Sequence, residues 1–155
     1  MPSGRFWLTS GAILAGLAVA LGAFGAHGLD QVLKSVYAAS DKRVVAGFEV
    51  PASWKYLQDF KTAAEYQLTH ALALLVVGLL AREDSRRSLT VAGWSFIGGI
   101  VLFSGSLYVL VVTGLRVLGA ITPIGGVLFL IGWLSLAIAV AGIKTNTSRG
   151  DQWRV

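Results

Sequence analysis

One stretch, Phe60 to Ala81, constrains the fold more than any other part of the chain. Its second half, Ala71 to Ala81, is apolar without interruption. As a helix this half reaches only about 16 Å, whereas a bilayer core is about 30 Å thick. A membrane-spanning helix must therefore include the first half, whose polar side chains are Glu65, Gln67, Thr69 and His70. Because lipid offers these groups no hydrogen bonds, we expect them to find partners on other helices.

The composition is that of an integral membrane protein. Hydrophobic residues make up 55% of the 155 residues, charged residues make up 14%, and the mean hydropathy is +0.69. These values do not fit a soluble globular domain. The absence of cysteine excludes a disulfide framework and a thiol nucleophile. The net charge of +5 does not indicate a nucleic-acid partner, because Lys and Arg lie mainly at the ends of apolar runs, as membrane anchoring predicts.

Four apolar runs predict the architecture. We expect a single membrane domain over residues 1–155, with spans at about 6–26, 62–81, 89–112 and 123–143 and an extramembrane segment at about 28–61. A cleaved signal peptide is the rival interpretation of the first run. However, that run is longer than a signal peptide's apolar region, and a poor cleavage site follows it. The prediction is an all-α integral membrane protein, a four-transmembrane-helix bundle with a helical extramembrane loop between spans 1 and 2.

Local signals refine the first half of the chain. Leu29 to Tyr37 is predicted to form a short helix, supported by Asp30 and Lys34 four residues apart. Ser40 to Pro51 is interpreted as a loop, after which a helix beginning at Ser53 runs straight into the second span. In the first span, small residues at intervals of four predict a face for packing against another helix. These small residues are Ala18, Gly22 and Ala26.

The later turns are short, so spans two, three and four are predicted to be antiparallel neighbours. Thr122 is predicted to be an N-cap, with Pro123 at the first helical position of the fourth span.

The basic residues predict the orientation in the plasma membrane. The turn after the second span carries Arg82, Arg86 and Arg87, whereas the turn after the third carries only Arg116. The first loop is also basic, but its charges are balanced by acids. We therefore expect both termini in the cytoplasm. The remaining inner basic residues are Arg5, Lys144, Arg149 and Arg154, and the remaining outer ones are Lys34, Lys42, Arg43, Lys55 and Lys61.

The polar residues of the four spans are predicted to meet in the outer half of the bundle. At the rise of a helix, His70 lies near the midplane and Glu65 lies nearer the outer boundary. In one interpretation Glu65 is simply interfacial and His70 is a neutral histidine that joins helices. In the other, His27, Glu65 and His70 form a proton-labile or ligand-binding cluster. The full candidate cluster is His27, Glu65, Tyr66, His70, Ser104, Ser106, Tyr108 and Thr122.

The sequence contains no compact catalytic or metal-binding motif. His27, Glu65 and His70 do not have the spacing of a compact ligand motif. Ser104 and Ser106 lack the GxSxG pattern of a hydrolase, and Gly105 between them suits helix packing equally well. We predict no catalytic residue, no cofactor and no metal ion.

Four segments of the chain carry a resemblance, namely GAFGAHGL from Gly22, FKTAAEYQLTHALALL from Phe60, AGWSFIGGIVLFSGSLY from Ala92 and LGAITPIGG from Leu118. In this order they resemble the bacterial inner-membrane family called domain of unknown function 423, which includes the YgdD-like proteins and is similar to transmembrane protein 256. The resemblance implies a four-span plasma-membrane protein with no established activity, so no catalytic residue is carried over. The first loop departs from the family pattern, because it is longer than the usual link.

Three functional hypotheses follow. The first is a non-enzymatic structural or accessory membrane component that packs against itself or a larger membrane complex through small-residue faces. The second is a small transporter or channel component that uses the outer polar cluster. The third is an enzyme that acts on a lipid or a quinone.

Overall fold

The computed structural model describes residues 1–84 and 86–143. Within these residues four helical segments are long and apolar enough to cross a membrane. The predicted all-α, four-span membrane bundle is therefore confirmed. The predicted basic residues Lys144, Arg149 and Arg154 lie outside the described part of the chain.

The elements follow one another in a simple order. The first span is α1, and a short helix, α2, and a two-stranded antiparallel hairpin precede the long helix α3. The third span consists of α4, a π-helical segment and α5, and a short 3-10 helix leads into the fourth span, α6. The bounds are α1 Gly4–His27, α2 Leu29–Val36, β1 Lys42–Val45, β2 Phe48–Pro51, α3 Ala52–Leu80, α4 Arg87–Gly99, the π-helical segment Ile100–Gly105, α5 Ser106–Thr113, the 3-10 helix Arg116–Ala120 and α6 Thr122–Ala141.

Helix α1 packs on α3 through small residues that recur every seven positions. Gly4, Gly11, Ala18 and Gly25 are all buried. A Cβ atom added to Gly11 would lie 2.9 Å from the carbonyl oxygen of Ala71. The two backbones therefore approach as closely as small residues allow, and a seven-residue repeat favours a left-handed crossing.

The face of α1 that packs within this chain is not the predicted one. Ala18 is buried, but Ala26 is exposed, and a Cβ atom added to Gly22 would meet no atom within 4 Å. The sequence pattern of this helix contains small residues at intervals of both four and seven, and the contact with α3 uses the interval of seven.

Aromatic rings of α4 and α6 fill notches made by glycines on the facing helix. The ring of Phe96 lies where a side chain on Gly132 would be, since an added Cβ atom would come within 2.5 Å of it. Phe129 fills the corresponding space at Gly99. These interlocking contacts form the core between the third and fourth spans.

The segment predicted as a loop, Ser40 to Pro51, instead contains the β-hairpin. Its two-residue turn has positive φ angles at Ala46 (50°) and Gly47 (86°). Positive φ at both central residues is the conformation that matches the twist of a short hairpin. The prediction missed the hairpin because each strand has only four residues and alanine replaces the usual asparagine of such turns.

The helical predictions around this hairpin are confirmed. Helix α2 forms as expected, and Lys34 Nζ donates to Asp30 Oδ2 at 2.6 Å. Helix α3 begins at Ala52 and continues without a break into the second span.

Thr122 is not the N-cap of the fourth span. It is the first residue of α6, and Ile121 holds the cap position. The preceding 3-10 helix keeps the backbone helical up to this point, so the Thr122 hydroxyl approaches the carbonyl oxygen of Leu118 at 3.3 Å rather than capping the helix. Pro123 does lie in the first turn of α6.

Candidate functional site

Contacts between the helices fix the depth of the polar residues. Leu14 lies near the middle of α1, and its carbonyl oxygen accepts a hydrogen bond from Gln67 Nε2 at 2.9 Å. About a third of the way along the third span, the ring of Phe96 contacts that of His70, with 5.7 Å between centroids. These contacts place residues 67–70 of α3 inside the bundle, away from both of its ends.

Gln67 joins three spans. Its Nε2 atom donates to the carbonyl oxygen of Leu14 on α1, and its Oε1 atom accepts from the Tyr108 hydroxyl on α5 at 3.0 Å. A carbonyl can only accept, so these two bonds also fix the orientation of the amide. With 4% of its surface exposed, Gln67 satisfies its polar groups inside the bundle.

Both ring nitrogens of His70 are engaged. Trp133 Nε1 on α6 donates to His70 Nε2 at 3.1 Å, and Nδ1 lies 2.7 Å from the carbonyl oxygen of Tyr66. Because an indole N–H can only donate, Nε2 must accept, and the imidazole proton lies on Nδ1. These contacts fit the neutral ring, because a protonated Nε2 would point its N–H group at the N–H group of Trp133.

Aromatic rings enclose this imidazole. It stacks on Phe129 with ring centroids 3.4 Å apart and planes at 10°. Tyr66, one turn away on α3, stacks on Phe103 of the π-helical segment at 4.5 Å. His70 is 4% exposed, so apart from its two hydrogen bonds its ring is surrounded by aromatic side chains.

A second polar contact joins the third and fourth spans nearer the hairpin. The hydroxyl oxygens of Ser106 and Thr122 lie 2.9 Å apart, and Ser106 Oγ donates to the carbonyl oxygen of Phe103 at 3.0 Å. The pair ties the start of α5 to the start of α6.

Ser104 differs from its neighbours. It is fully buried in the π-helical segment, and its hydroxyl has no hydrogen-bond partner within the described residues. A buried hydroxyl without a partner is costly, and π-helical segments are frequent at functional sites.

His27 and Glu65 lie apart from these contacts. Both are exposed, and within residues 1–84 and 86–143 neither side chain forms a hydrogen bond or an ion pair. His27 is the last residue of α1, and Glu65 lies on the side of α3 that faces away from the bundle. The structure therefore brings His70 to Tyr66, and Ser106 to Thr122, but brings neither His27 nor Glu65 to His70.

The prediction omitted two residues that the polar contacts depend on. Gln67 was visible as a polar residue in an apolar run, and it pairs with Tyr108, which was a candidate. Trp133 lies in the middle of the predicted fourth span, away from the span edges where tryptophan is common, and this position was a signal that the prediction did not use. Within the part of the chain that the structure describes, no group of three His, Asp or Glu side chains could hold a metal ion.

A separate polar group covers the hairpin end of the bundle. Arg43 Nε and Nη2 each donate to the Tyr56 hydroxyl at 3.2 Å, and the Tyr37 hydroxyl donates to the carbonyl oxygen of Val111 at 3.0 Å. Burial raises the pKa of Tyr37, nearby Tyr56 raises it further and Arg43 lowers it. These bonds fasten the hairpin and α2 to the spans.

The fold and these contacts define a multi-pass α-helical membrane protein whose buried polar side chains mainly join one helix to another. The family model described as "Protein of unknown function (DUF423)" matches residues 21–126. The chain belongs to this family, as its four sequence segments predicted.

Relatives extend the match over most of the chain. The UPF0382 membrane protein YwdK of Bacillus subtilis is 46% identical, over 87% of this chain and 95% of the relative. A UPF0382 membrane protein of Staphylococcus epidermidis is 45% identical, over 87% of this chain and 94% of the relative. No solved structure matches the chain.

Proposed function

We propose that this protein is a non-enzymatic structural or accessory component of the plasma membrane, with both termini in the cytoplasm, that associates laterally with itself or a larger membrane complex. The observation that carries the proposal is a face of small residues on α1 that the rest of the described chain leaves uncovered. We call it the outer α1 face, and it consists of Ala12, Gly16, Ala20 and Ala23.

The outer α1 face lies opposite the small residues that pack on α3. All four of its residues are exposed, and a Cβ atom added to Gly16 would meet no atom within 4 Å. Small residues let helix backbones approach closely in lipid, and this close packing is a main source of helix association there.

The buried polar contacts support the same proposal. Gln67 and His70 use their hydrogen-bonding groups to join helices, as expected of residues that hold a bundle together. The alternative, a small transporter or channel component, would use His27, Glu65 and His70. It has less support, because His70 is enclosed by aromatic rings while His27 and Glu65 are exposed elsewhere.

Site-specific photo-crosslinking in native membranes tests the proposal. A photo-activatable residue at Ala23 is expected to capture a protein partner, and the Gly16→Ile substitution is expected to reduce that capture at least tenfold by pushing the partner helix away. Gly126→Ile on α6 is the matched control, since an added Cβ atom is equally free of contacts there.

Two results would overturn the proposal. One is that the photo-activatable residue at Ala23 captures only lipid when the protein is expressed at its native level. The other is a protein crosslink of equal yield in the Gly16→Ile and Gly126→Ile variants.

A further inference from the structure

A small recess at the hairpin end of the bundle brings positive charges together. It lies between β1, the first turns of α3 and the end of the third span, and its volume is about 220 Å³. Pockets that hold whole small molecules usually measure about 300–1,000 Å³, so this recess suits a single small group. The polar residues that line it are Arg43, Lys55, Tyr56, Asp59 and Arg116.

The charges of the recess do not balance. Asp59 is the one carboxylate among the described residues that line it, and it already forms an ion pair with Lys55, one turn away on α3. Arg43 and Arg116 form no ion pair within residues 1–84 and 86–143. Two guanidinium groups that share a recess repel each other, so an anion bound there would offset this repulsion.

Hydrogen bonds hold the guanidinium group of Arg43 in place. Its Nε and Nη2 atoms each donate to the Tyr56 hydroxyl at 3.2 Å, and Nη1 donates to the carbonyl oxygen of Lys42 at 2.8 Å. A guanidinium group has five N–H donors, so two of them remain for a ligand. Because the side chain is already fixed, it loses little conformational freedom when a ligand binds.

The Tyr56 hydroxyl supplies a further donor. Tyr56 is 3% exposed, and its hydroxyl oxygen accepts both bonds from Arg43. In the part of the chain that the structure describes, the O–H group itself donates to no acceptor. A buried donor without an acceptor is costly. The recess thus presents donors from Arg43, Tyr56 and Arg116, and its one carboxylate is already paired, which is the chemistry of an anion site.

We propose that this recess binds a phosphate group, carried either by the headgroup of an anionic phospholipid or by a soluble phosphate. Guanidinium groups match phosphate oxygens with paired N–H donors. Arg116 is exposed at the end of the third span, the level at which basic side chains meet lipid headgroups and water. The site goes beyond the proposed function, because it assigns a ligand and does not use the outer α1 face.

Ligand titration of the full-length protein in neutral detergent tests the site. Inorganic phosphate, at constant ionic strength set with chloride, or phosphatidylglycerol, compared with phosphatidylcholine, is expected to raise the thermal unfolding midpoint saturably, because it binds the folded state. A response to phosphate alone identifies a soluble ligand, and a response to phosphatidylglycerol at lower concentrations identifies a lipid headgroup. No saturable response to phosphate, together with equal responses to the two lipids, would overturn the site.

Arg116→Gln tests whether the ligand lies in this recess. The Arg116 side chain is exposed and forms no ion pair within the described residues, so its replacement is expected to preserve the fold and to raise the dissociation constant about tenfold. Lys61→Gln is the matched control, since it removes a positive charge from an exposed position of α3 outside the recess. Equal dissociation constants for the two variants would overturn the site.

Two tyrosines test the hydroxyl donor. Tyr56→Phe is expected to raise the dissociation constant about fivefold, because it removes both the O–H donor and the group that orients Arg43. Tyr37→Phe is the control and is expected to leave it unchanged, since the Tyr37 ring stacks on Tyr56 but its hydroxyl donates to the carbonyl oxygen of Val111. Equal losses in the two variants would overturn the assignment of the Tyr56 hydroxyl to the site.

Discussion

At the scale of single residues, the direction in which a polar side chain points from its helix decides what it contacts. Gln67 and Glu65 are two positions apart on α3, yet the first points between three helices and the second points away from them. The amide is therefore satisfied by Leu14 and Tyr108, whereas the carboxyl group has no partner in the described chain. The same helix thus carries a buried group that joins spans and an exposed group that makes no contact of this kind.

The Gln67–Tyr108 hydrogen bond is expected to couple the two residues energetically. Gln67→Leu and Tyr108→Phe should each lower the unfolding free energy, and the double variant should lose less than the sum, because one bond is counted in both single changes. The expected coupling is about 0.6 kcal/mol and at most about 1.7 kcal/mol, the range for hydrogen bonds between membrane helices. Reversible unfolding in mixed micelles measures it, and strictly additive losses would contradict the bond.

At the scale of elements, glycines have different roles according to what faces them. Gly132 on α6 receives the ring of Phe96, whereas Gly126, less than two turns away, meets no atom within 4 Å. The same residue type is a packing notch at one position and a surface feature at the other. Neither role can be deduced from hydropathy, because both glycines lie in the same apolar run.

Gly132→Ala and Gly126→Ala should therefore differ in stability. The added methyl group at Gly132 would overlap the Phe96 ring, and overpacking of this kind costs about 1–3 kcal/mol. At Gly126 the methyl group has free space, and alanine favours the helix by up to about 1 kcal/mol. Thermal unfolding of the two variants in one detergent checks the difference, and equal midpoints would argue against the notch.

Sequence patterns predicted the long helices and a local side-chain pair correctly. The four spans and the unbroken α3 were predictable, because long apolar runs have few alternative structures. The pair Asp30 and Lys34 was predictable because it is local. The face that α1 turns toward α3 was not, since small residues occur on nearly every side of that helix.

The candidate site was predictable in composition but not in arrangement. His70 was expected either to join helices or to meet His27 and Glu65, and the contact with Trp133 depends on how α3 and α6 are rotated against each other. The rotation of α6 is set in part by notches such as Gly132, which receives the Phe96 ring of α4 and which no local pattern identifies. The hairpin was missed for a related reason, since strands this short have little periodicity to detect.

At the scale of the whole molecule, the central claim is that the interior is a dry packing core and that the outward faces make the functional contacts. Ser104 is the most informative position for this claim. It is fully buried near the middle of the third span, with a hydroxyl that has no partner in the described residues. In a water-filled path that passes Ser104, a water molecule would be the hydrogen-bond partner of this hydroxyl.

Labelling of single cysteines with a membrane-impermeant thiol reagent tests the claim most directly, because the native chain has no cysteine. Ser40→Cys, at an exposed position just before the hairpin, is the positive control and is expected to react in intact cells. The dry core predicts that Ser104→Cys stays unreacted when the reagent is applied to either side of the membrane. Reaction of Ser104→Cys at a rate comparable to that of Ser40→Cys would contradict it and would indicate a path for water through the bundle.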